Sequence, residues 1–172
     1  MQIKTESTFI PTHQKLYQDI LNLTLTIGES YPNYQKWYQE TFLEGLKKGE
    51  RGIITVCDKG KLAGVVLFKK TPAEKKLCTL FVHPDFRKRG IATQLVKATV
   101  AELGEKPLIS VSEKNFAQVE SLFKRMGFYL SAHIKGAYSH DTTEYYYNDK
   151  KQTVIQNGLI PVLLKRMRHL KK

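Results

Sequence analysis

The stretch "KLCTLFVHPDFRKRGIA", residues 76–92, joins an apolar run to a basic, glycine-containing loop and the start of a periodic segment. Residues 76–82 are apolar at nearly every position, which is typical of a central strand covered on both faces. Beyond Pro84 the apolar residues recur every three or four positions as far as Gly104, which predicts a helix. The sequence therefore predicts a strand, a basic loop and a helix in direct succession.

The flanking segments alternate between helical and extended patterns. Helical spacing predicts two helices, at 11–28 and 32–48. Two β-rich runs joined by an Asp- and Gly-containing turn, 53–57 and 62–68, predict a hairpin. Four further apolar segments complete the pattern: a strand at 107–111, a helix at 116–126, and strands at 128–134 and 142–148. With one further strand placed ahead of the helix at 11–28, the predicted order is β, α, α, β, β, β, α, β, α, β, β, a mixed α/β sheet with helices on its faces.

The composition indicates a folded, soluble domain with a positive surface. A chain of 172 residues suits one domain with one core. Lys and Arg number 28 against 16 acidic residues, which gives a net charge of +12. Such a field attracts polyphosphates, nucleic acid or an anionic membrane surface. A basic surface that serves solubility alone is the alternative that composition leaves open.

Cysteine usage and hydropathy favour an intracellular protein. Cys57 and Cys78 lie inside apolar runs, where a reduced thiol packs as a small hydrophobic group. No paired Cys or His spacing fits a tetrahedral metal site, so no metal is expected. The first thirty residues lack a basic region followed by a long apolar stretch, and no window approaches the roughly 20 apolar residues of a membrane span. We therefore expect a cytoplasmic location and no transmembrane segment.

The basic loop has the features of a phosphate site. At the start of a helix, unpaired backbone N–H groups and the helix dipole attract anions. Gly90 lets the backbone approach a ligand without a Cβ in the way, and Ala92 keeps the first turn narrow. Arg87, Lys88 and Arg89 add positive charge. The loop is suited to a pyrophosphate, while so short a motif also leaves open a plain connection between strand and helix.

The pattern Arg87-x-x-Gly90-x-Ala92, its lead-in "VHPDFR" and the later segment "NFAQVESLFKRMGF" resemble the GNAT superfamily of acyl-CoA N-acyltransferases. The resemblance covers roughly residues 53–148. It implies a GNAT-like mixed sheet of about seven strands with four helices, in which the fourth strand bulges and splays away from its parallel neighbour to admit the pantetheine arm of acetyl-CoA. We therefore expect a single GNAT-like domain at 1–148 and a basic C-terminal extension at 149–172.

The resemblance also implies which residues hold the cosubstrate acetyl-CoA. Main-chain groups around Phe81 and Val82 would hold the pantetheine and the thioester, with one N–H polarising the thioester carbonyl. Asn115 resembles the asparagine that contacts pantetheine, although counting back from Gly127 places that position on Phe116, and a role as N-cap stays open. The pyrophosphate would be taken by backbone N–H groups of the loop: Arg87, Lys88, Arg89, Gly90, Ile91 and Ala92.

The resemblance leaves the acid and base of the reaction open. Many family members protonate the departing thiolate with a tyrosine in the fourth helix, where this chain has Phe123, which can pack at the cofactor but has no proton to give. Tyr129 is the candidate substitute, and water or no acid at all are the alternatives. The family's base is often a carboxylate on the fourth strand. Residues 77–82 contain none, so Glu74 is the nearest candidate, acting through water.

These observations predict an acetyl-CoA-dependent N-acetyltransferase that acts on a primary amine, with proximity and the oxyanion contact supplying most of the rate. The acceptor could be a small molecule, a protein or an aminoacyl-RNA, and the charge of +12 favours an anionic, RNA-linked acceptor. The alternative is a non-catalytic module that binds acyl-CoA or nucleic acid and regulates another process. Phe123 and the carboxylate-free strand favour that alternative.

Two segments near the C-terminus suggest contacts beyond the domain. The tyrosines at 145–147, together with the apolar segment 159–164, predict a homodimer contact or the completion of the core. The final stretch "GLIPVLLKRMRHLKK", residues 158–172, has no acidic residue. A solvated tail, a swapped helix, or a contact with nucleic acid or a membrane surface all fit it.

Overall fold

The computed structural model describes residues 1–138 and 140–149, which fall into two compact units, Met1–Leu108 and a second that begins at Ile109. The predicted basic extension lies outside the described residues beyond Asp149, and so does the apolar segment 159–164. The single domain expected at 1–148 stays a prediction.

The first unit contains four strands and most of the helices. Its strands are β1 (Gln2–Glu6), β2 (Arg51–Asp58), β3 (Lys61–Thr71) and β4 (Glu74–Val82). Its α-helices are α1 (Gln14–Thr24), α2 (Tyr34–Lys36), α3 (Leu43–Lys47) and α4 (Ile91–Leu103). A π-helical turn, Trp37–Phe42, makes α2 and α3 one continuous helical segment. Short 3₁₀ turns occur at Pro11–His13, Leu25–Glu29 and Pro84–Phe86.

The strands of this unit form an antiparallel sheet in the order β1-β2-β3-β4. The predicted hairpin is confirmed as β2 and β3, with Asp58 opposite Lys61. Its turn residues Lys59 and Gly60 have φ values of 49° and 78°. Two consecutive positive φ values are the signature of a type I′ turn, whose twist matches that of the strands.

Both faces of this sheet are covered by helices. On one face, α1 and the segment from α2 to α3 bury large side chains, among them Tyr38, Phe42 and Leu46, against Ile53 and Leu67 of the sheet. On the other face lies α4, which packs against β2, β3 and β4. Its buried residues Ile91, Leu95, Val96, Thr99 and Leu103 follow helical spacing. A core on each face fixes the positions of β4 and α4, and therefore of the loop that joins them.

The second unit contains β5 (Leu108–Ser112), α5 (Glu113–Arg125), β6 (Leu130–Lys135) and β7 (Thr143–Tyr147). Strand β7 lies between β5 and β6 and is antiparallel to both. Helix α5 packs on β7, where the Phe116 ring stacks on Tyr145 with centroids 4.0 Å apart. Tyr146 and Tyr147 are buried. The tyrosine run therefore contributes to the core of this unit, and the predicted homodimer stays a prediction.

The predicted order of strands and helices is confirmed. The expectation that residues 76–82 form a strand covered on both faces is wrong for most of the strand. Leu77 and Thr79 of β4 are buried, but its other residues are partly exposed. The apolar run could not reveal this, because β4 contains an irregularity that interrupts its pleat. No helix within the described residues is long and apolar enough to cross a membrane.

Candidate functional site

The loop between β4 and α4 has an unusual backbone. Arg87 is extended at φ −65° and ψ 161°, Lys88 has a φ of 61° and Gly90 a φ of 75°. A positive φ is strained for lysine, and such strain concentrates where a loop is held in shape for binding. The loop thus contains two residues with positive φ, and α4 begins immediately afterwards at Ile91.

The start of α4 is open to a ligand. Gly90 is its N-cap and supplies no side-chain hydrogen bond to the first turn. A Cβ added at Gly90 would meet no heavy atom within 4 Å, so the space beside the backbone is free. The first N–H groups of a helix have no intrahelical acceptor, and here no side-chain cap takes their place. The arrangement can therefore donate several parallel hydrogen bonds to one anion.

Cationic side chains surround this helix start, and two of them are held against the strand and the turn. Arg87 Nε donates to the carbonyl oxygen of Val82 at 3.2 Å, and its guanidinium lies 6.0 Å from the Phe81 ring centroid. The Arg89 guanidinium lies 5.2 Å from the ring centroid of Phe86. The residues from Arg87 to Gly90 are exposed, so their charges face solvent. This is the environment that an anionic ligand needs.

His83 shapes the turn into the loop. Its Nδ1 accepts a hydrogen bond from the backbone N–H of Asp85 at 3.2 Å. The His83 ring also packs edge-on against Phe86 with centroids 5.6 Å apart. These contacts give the histidine a structural role at the end of β4.

Strand β4 carries a β-bulge. Leu67 of β3 pairs with Thr79, whereas the next residue, Phe68, pairs with Leu77, so Cys78 is an extra residue without a direct partner in β3. A bulge of this kind bends the strand and redirects its side chains. The bulged fourth strand that the family resemblance implied is therefore confirmed.

Gly64 allows α4 to lie close to the sheet. A Cβ on Gly64 would come within 2.9 Å of Ile91 Cγ2, 3.1 Å of Leu95 Cδ1 and 3.1 Å of the Phe81 carbonyl oxygen. Gly64 pairs with Val82 at the end of β4. The position of the helix start therefore depends on the absence of a side chain at Gly64.

In the second unit, Asn115 lies in the first turn of α5 and donates from Nδ2 to Ser112 Oγ at 3.2 Å. Ser112 has the extended backbone of the N-cap, with φ −66° and ψ 149°. The open alternative that Asn115 is itself the N-cap is therefore wrong. The aromatic ring of Phe116 is occupied by stacking on Tyr145.

Comparison with known proteins decides the family. Residues 15–128, more than half of the chain, match the acetyltransferase (GNAT) family. The chain belongs to the GNAT acetyltransferase family. Its predicted fold class, its activity as an acetyl-CoA-dependent N-acetyltransferase and its cosubstrate are thereby confirmed at the level of the family. No curated protein sequence matches the chain directly.

Solved structures with the same fold include several GNAT enzymes. An aminoglycoside 6′-N-acetyltransferase complexed with coenzyme A has a TM-score of 0.65 at 17% identity, over 86% of this chain and 95% of that one. NAA60 of Arabidopsis thaliana, in complex with a bisubstrate analogue, has a TM-score of 0.61 at 18% identity, over 85% and 97%. The PaiA N-acetyltransferase of Thermoplasma acidophilum, in complex with coenzyme A, has a TM-score of 0.59 at 15% identity, over 84% and 98%. At these identities the likeness establishes the fold.

Many GNAT enzymes have a tyrosine in the fourth helix that protonates the departing thiolate. The residue at that position in this chain is buried. Phe123 is 1% exposed and its ring lies 5.5 Å from Phe128 and 5.2 Å from Tyr147, centroid to centroid. The Tyr147 hydroxyl is buried and has no hydrogen-bond partner within the described part of the chain. Burial, with a smaller effect of the Glu120 carboxylate, raises the pKa of Tyr147 above its ordinary value. From the sequence, Tyr147 was predicted only as part of a core or dimer contact, because no pattern of residues signals an unpaired hydroxyl.

Removing the Tyr147 hydroxyl is expected to stabilise the protein. A buried hydroxyl without a partner loses its hydration and gains nothing in return, so Tyr147→Phe should raise the free energy of unfolding by about 1 kcal/mol. Tyr38→Phe is the matched control. The Tyr38 hydroxyl donates to the Tyr17 carbonyl oxygen at 2.9 Å, and its loss should lower the free energy by about 1 kcal/mol. Urea unfolding measures both, and destabilisation by Tyr147→Phe would show that the hydroxyl has a partner in solution.

Of the two predicted catalytic residues, Glu74 lies far from the loop along β4, and Tyr129 belongs to the second unit. Glu74 stands at the β3–β4 turn, where its Oε2 accepts from Lys69 Nζ at 3.0 Å. Val82 is eight residues further along β4, a separation of about 26 Å in an extended strand. Tyr129 in the second unit is 50% exposed, and its backbone exchanges hydrogen bonds with Asn148 at 3.0 and 3.1 Å. The structure therefore does not bring Glu74 to the loop.

Arg51, on the β2 strand beside the bulge, was missed by sequence reasoning. Its guanidinium carbon lies 5.6 Å from the Trp37 ring centroid and 5.8 Å from that of Phe42, and its Nη1 lies 3.7 Å from Cys78 Sγ. Two glycines before the "IITVC" run marked a chain break but gave no sign that the intervening arginine would be packed among aromatic rings. Only the register of the strands places Arg51 next to the bulge.

Proposed function

We propose that this GNAT acetyltransferase holds acetyl-CoA at the loop Arg87–Ala92 and along β4, and transfers the acetyl group to the primary amine of an anionic acceptor. The observation that carries the proposal is the open, cation-lined start of α4 at the end of a bulged strand. A plain connecting loop has no need of strain at Lys88 or of an uncapped helix start. A pyrophosphate uses both.

Each part of the site has a distinct task in this proposal. Backbone N–H groups of residues 87–92 bind the pyrophosphate, and main-chain groups of Phe81 and Val82 hold the pantetheine. Asn115 and Phe123 are the contributions proposed for the second unit. Acetyl-CoA supplies an activated thioester. An N–H of β4 polarises the thioester carbonyl, so most of the rate comes from alignment of the amine and from this oxyanion contact.

The reaction has two proton transfers, one to the departing thiolate and one from the attacking amine, and solvent can serve in both. A neutral amine attacks the thioester carbon, the carbon–sulfur bond breaks, and the electron pair remains on sulfur. A thiolate is a tolerable leaving group, so water can protonate it, with Tyr129 as the candidate side chain. The ion pair with Lys69 and the length of β4 favour a structural role for Glu74, so that solvent takes the proton of the amine.

This assignment predicts a mild effect for Glu74→Gln. The substitution removes the ion pair with Lys69, which is partly exposed and contributes less than about 1 kcal/mol to stability. We expect kcat to stay within about twofold of the parent value, since general base catalysis by a side chain is worth about 100-fold or more. Steady-state kinetics at saturating acetyl-CoA measures this. A fall of 100-fold, without loss of folding, would make Glu74 the base.

The acceptor is the least constrained part of the proposal. Structural neighbours include an aminoglycoside 6′-N-acetyltransferase and the NatC complex bound to a peptide and CoA. The net charge of +12 favours an anionic acceptor, including an aminoacyl-RNA. A panel of small amines, peptides and aminoacyl-tRNA, read by release of the coenzyme A thiol, tests the activity. Turnover with at least one class supports the proposal.

A non-catalytic acyl-CoA-binding module is the second candidate. Phe123, which is buried and has no proton to donate, is the observation in its favour. Tight binding of acetyl-CoA without turnover on any amine class would favour this module over the enzyme.

A cytoplasmic location and a homodimer complete the proposal. Cys57 and Cys78 are both free thiols, the usual state in the cytosol. Among the described residues no group of His, Cys, Asp and Glu could hold a metal ion. Sedimentation of the full chain tests the dimer.

A further inference from the structure

Three cationic side chains lie opposite one another across the first unit's sheet. Arg51 of β2 pairs with Lys69 of β3, and Lys69 pairs with Lys76 of β4. Residues that pair directly in an antiparallel sheet share one face, so all three lie on the same side. With neighbouring strands about 4.8 Å apart, the row spans about 10 Å. We name these three residues the cationic rung.

Arg51 is the member of the rung that contacts aromatic side chains. It is partly buried, and its guanidinium lies near the faces of Trp37 and Phe42. A Cβ on Gly45 would come within 2.6 Å of Arg51 Cδ, so that glycine makes room for the side chain. No carboxylate of the described residues lies within 4.0 Å of the guanidinium. A cation held in a fixed place without an anion is unusual, because its loss of hydration is incompletely offset.

The neighbouring rung on the opposite face shows how the same sheet neutralises lysines. Lys70 pairs with Lys75 across β3 and β4. Lys70 Nζ lies 3.0 Å from a Glu102 oxygen, and Lys75 Nζ lies 3.2 Å from a Glu105 oxygen. Each lysine of that face therefore has a carboxylate of its own, and in the cationic rung Lys69 likewise has Glu74, at 3.0 Å. Arg51 has no such partner among the residues that the structure describes.

The charges of the rung converge on the bulge residue Cys78. Burial raises the pKa of the Cys78 thiol, while Lys76 and Arg51 lower it, Glu74 raises it and Lys69 lowers it. Three cations and one carboxylate thus act on the bulge. Like charges placed opposite each other also disfavour folding. An anion bound beside Arg51 would relieve this repulsion.

We propose that the cationic rung binds the anionic group, phosphate or carboxylate, of the amine acceptor, with Arg51 as the central contact. The planar fork of an arginine matches either oxyanion with two hydrogen bonds. This inference rests on the proposed function.

The location of the rung separates it from the cosubstrate site. Lys76 is six residues before Val82, about 20 Å along an extended strand, so one anion cannot occupy both the rung and the loop. The bulge at Cys78 lies next to the rung on the same strand. Strand β4 therefore has an anion site at each end, the loop for acetyl-CoA and the rung for the acceptor.

Acceptor preference tests the proposal. Because Lys76 lies about 16 Å from Phe81 along β4, an acceptor reaches both the rung and the thioester only if its anionic group lies that far from its amine. With saturating acetyl-CoA, kcat/KM is measured for amidated hexapeptides with a free N-terminal amine and glutamate, phosphoserine or glutamine as the sixth residue, and for an aminoacyl-tRNA. We expect the glutamate and phosphoserine peptides to exceed the glutamine peptide at least tenfold. The glutamate, phosphoserine and tRNA arms distinguish the sources of the anion. Equal kcat/KM for the glutamate and glutamine peptides would overturn the proposal.

Substitutions locate that preference on the rung. Arg51→Gln should raise KM for the best anionic amine at least tenfold with little change in kcat, and Lys76→Gln should raise it about threefold. Lys70→Gln removes a lysine from the adjacent rung but on the other face, and should leave KM unchanged. Should Arg51→Gln fail to fold, the contrast between Lys76→Gln and Lys70→Gln carries the test. Equal effects of those two variants would contradict the proposal.

A second measurement does not depend on turnover. In a Cys57→Ser, Gly90→Glu background, Cys78 is the remaining cysteine and the loop is blocked. Inorganic phosphate should slow the alkylation of Cys78 at least threefold in this background. The slowing should be smaller when Lys76→Gln is added than when Lys70→Gln is added. If phosphate gives no protection, the proposal that the cationic rung binds an anion is wrong. Protection without turnover on any amine would retain the anion site but refute the proposed enzyme.

Discussion

Gly90→Glu is expected to lower the affinity for acetyl-CoA at least 100-fold. The new carboxylate would stand at the start of α4, where the proposal places a pyrophosphate, and each blocked or repelled contact to a charged group is worth about 1.5–3 kcal/mol. The fold should survive, because a Cβ at Gly90 meets no heavy atom within 4 Å and an acidic residue in the first turn suits the helix dipole. Calorimetric titration of parent and variant measures the loss.

Gly104→Glu is the matched control for this variant. Gly104 caps the other end of α4, has a φ of 71°, close to the 75° of Gly90, and has the same open space around it. It therefore carries the same backbone strain and the same added charge, but away from the loop. The affinity of the Gly104→Glu variant for acetyl-CoA should equal that of the parent protein. Equal losses in both variants would mean that general destabilisation or net charge, rather than the loop, governs binding.

Gly64→Val is expected to weaken both the fold and the cosubstrate site. The Cβ alone would approach Ile91, Leu95 and the Phe81 carbonyl oxygen at 2.9–3.1 Å, and the two additional methyl groups have no free volume. Overpacking of this kind costs about 1–3 kcal/mol. The start of α4 must move away from the sheet, so we expect the affinity for acetyl-CoA to fall at least tenfold. Urea unfolding and calorimetry measure the two effects.

Gly28→Val serves as the comparison for Gly64→Val. No heavy atom lies within 4 Å of a Cβ at Gly28, and its φ is not positive. The same change in volume should therefore leave the free energy of unfolding within about 0.5 kcal/mol and binding unchanged. If Gly64→Val also left binding unchanged, the close approach of α4 would have no part in forming the site.

Periodicity was sufficient to predict the order of elements. The hairpin of β2 and β3 was predictable because Asp58 to Lys61 combine turn chemistry with flanking β-rich runs. Helix α4 was predictable because its buried residues repeat every three or four positions. The burial of β4 was not, since an apolar run cannot report a bulge, and the extra residue Cys78 is defined by its partners in β3.

The site was predictable where it depends on backbone and local sequence. Gly90 at the start of α4 follows from the glycine motif, and its open, uncapped surroundings agree with that interpretation. Residues whose role depends on distance along the strand were not predictable. Glu74 was the nearest carboxylate in sequence, yet it lies at the opposite end of β4 and pairs with Lys69. Arg51 comes to the bulge through the pairing of three strands.

Hydrogen–deuterium exchange with and without acetyl-CoA tests the central claim most directly. Addition of acetyl-CoA should slow exchange at the backbone amide of Val82, which faces away from β3, and at those of residues 88–93, since these N–H groups become hydrogen-bonded to the cosubstrate. The amides of β1, Gln2–Glu6, should be unaffected. Protection confined to other segments, or no protection at saturating acetyl-CoA, would contradict the assignment of this loop as the cosubstrate site.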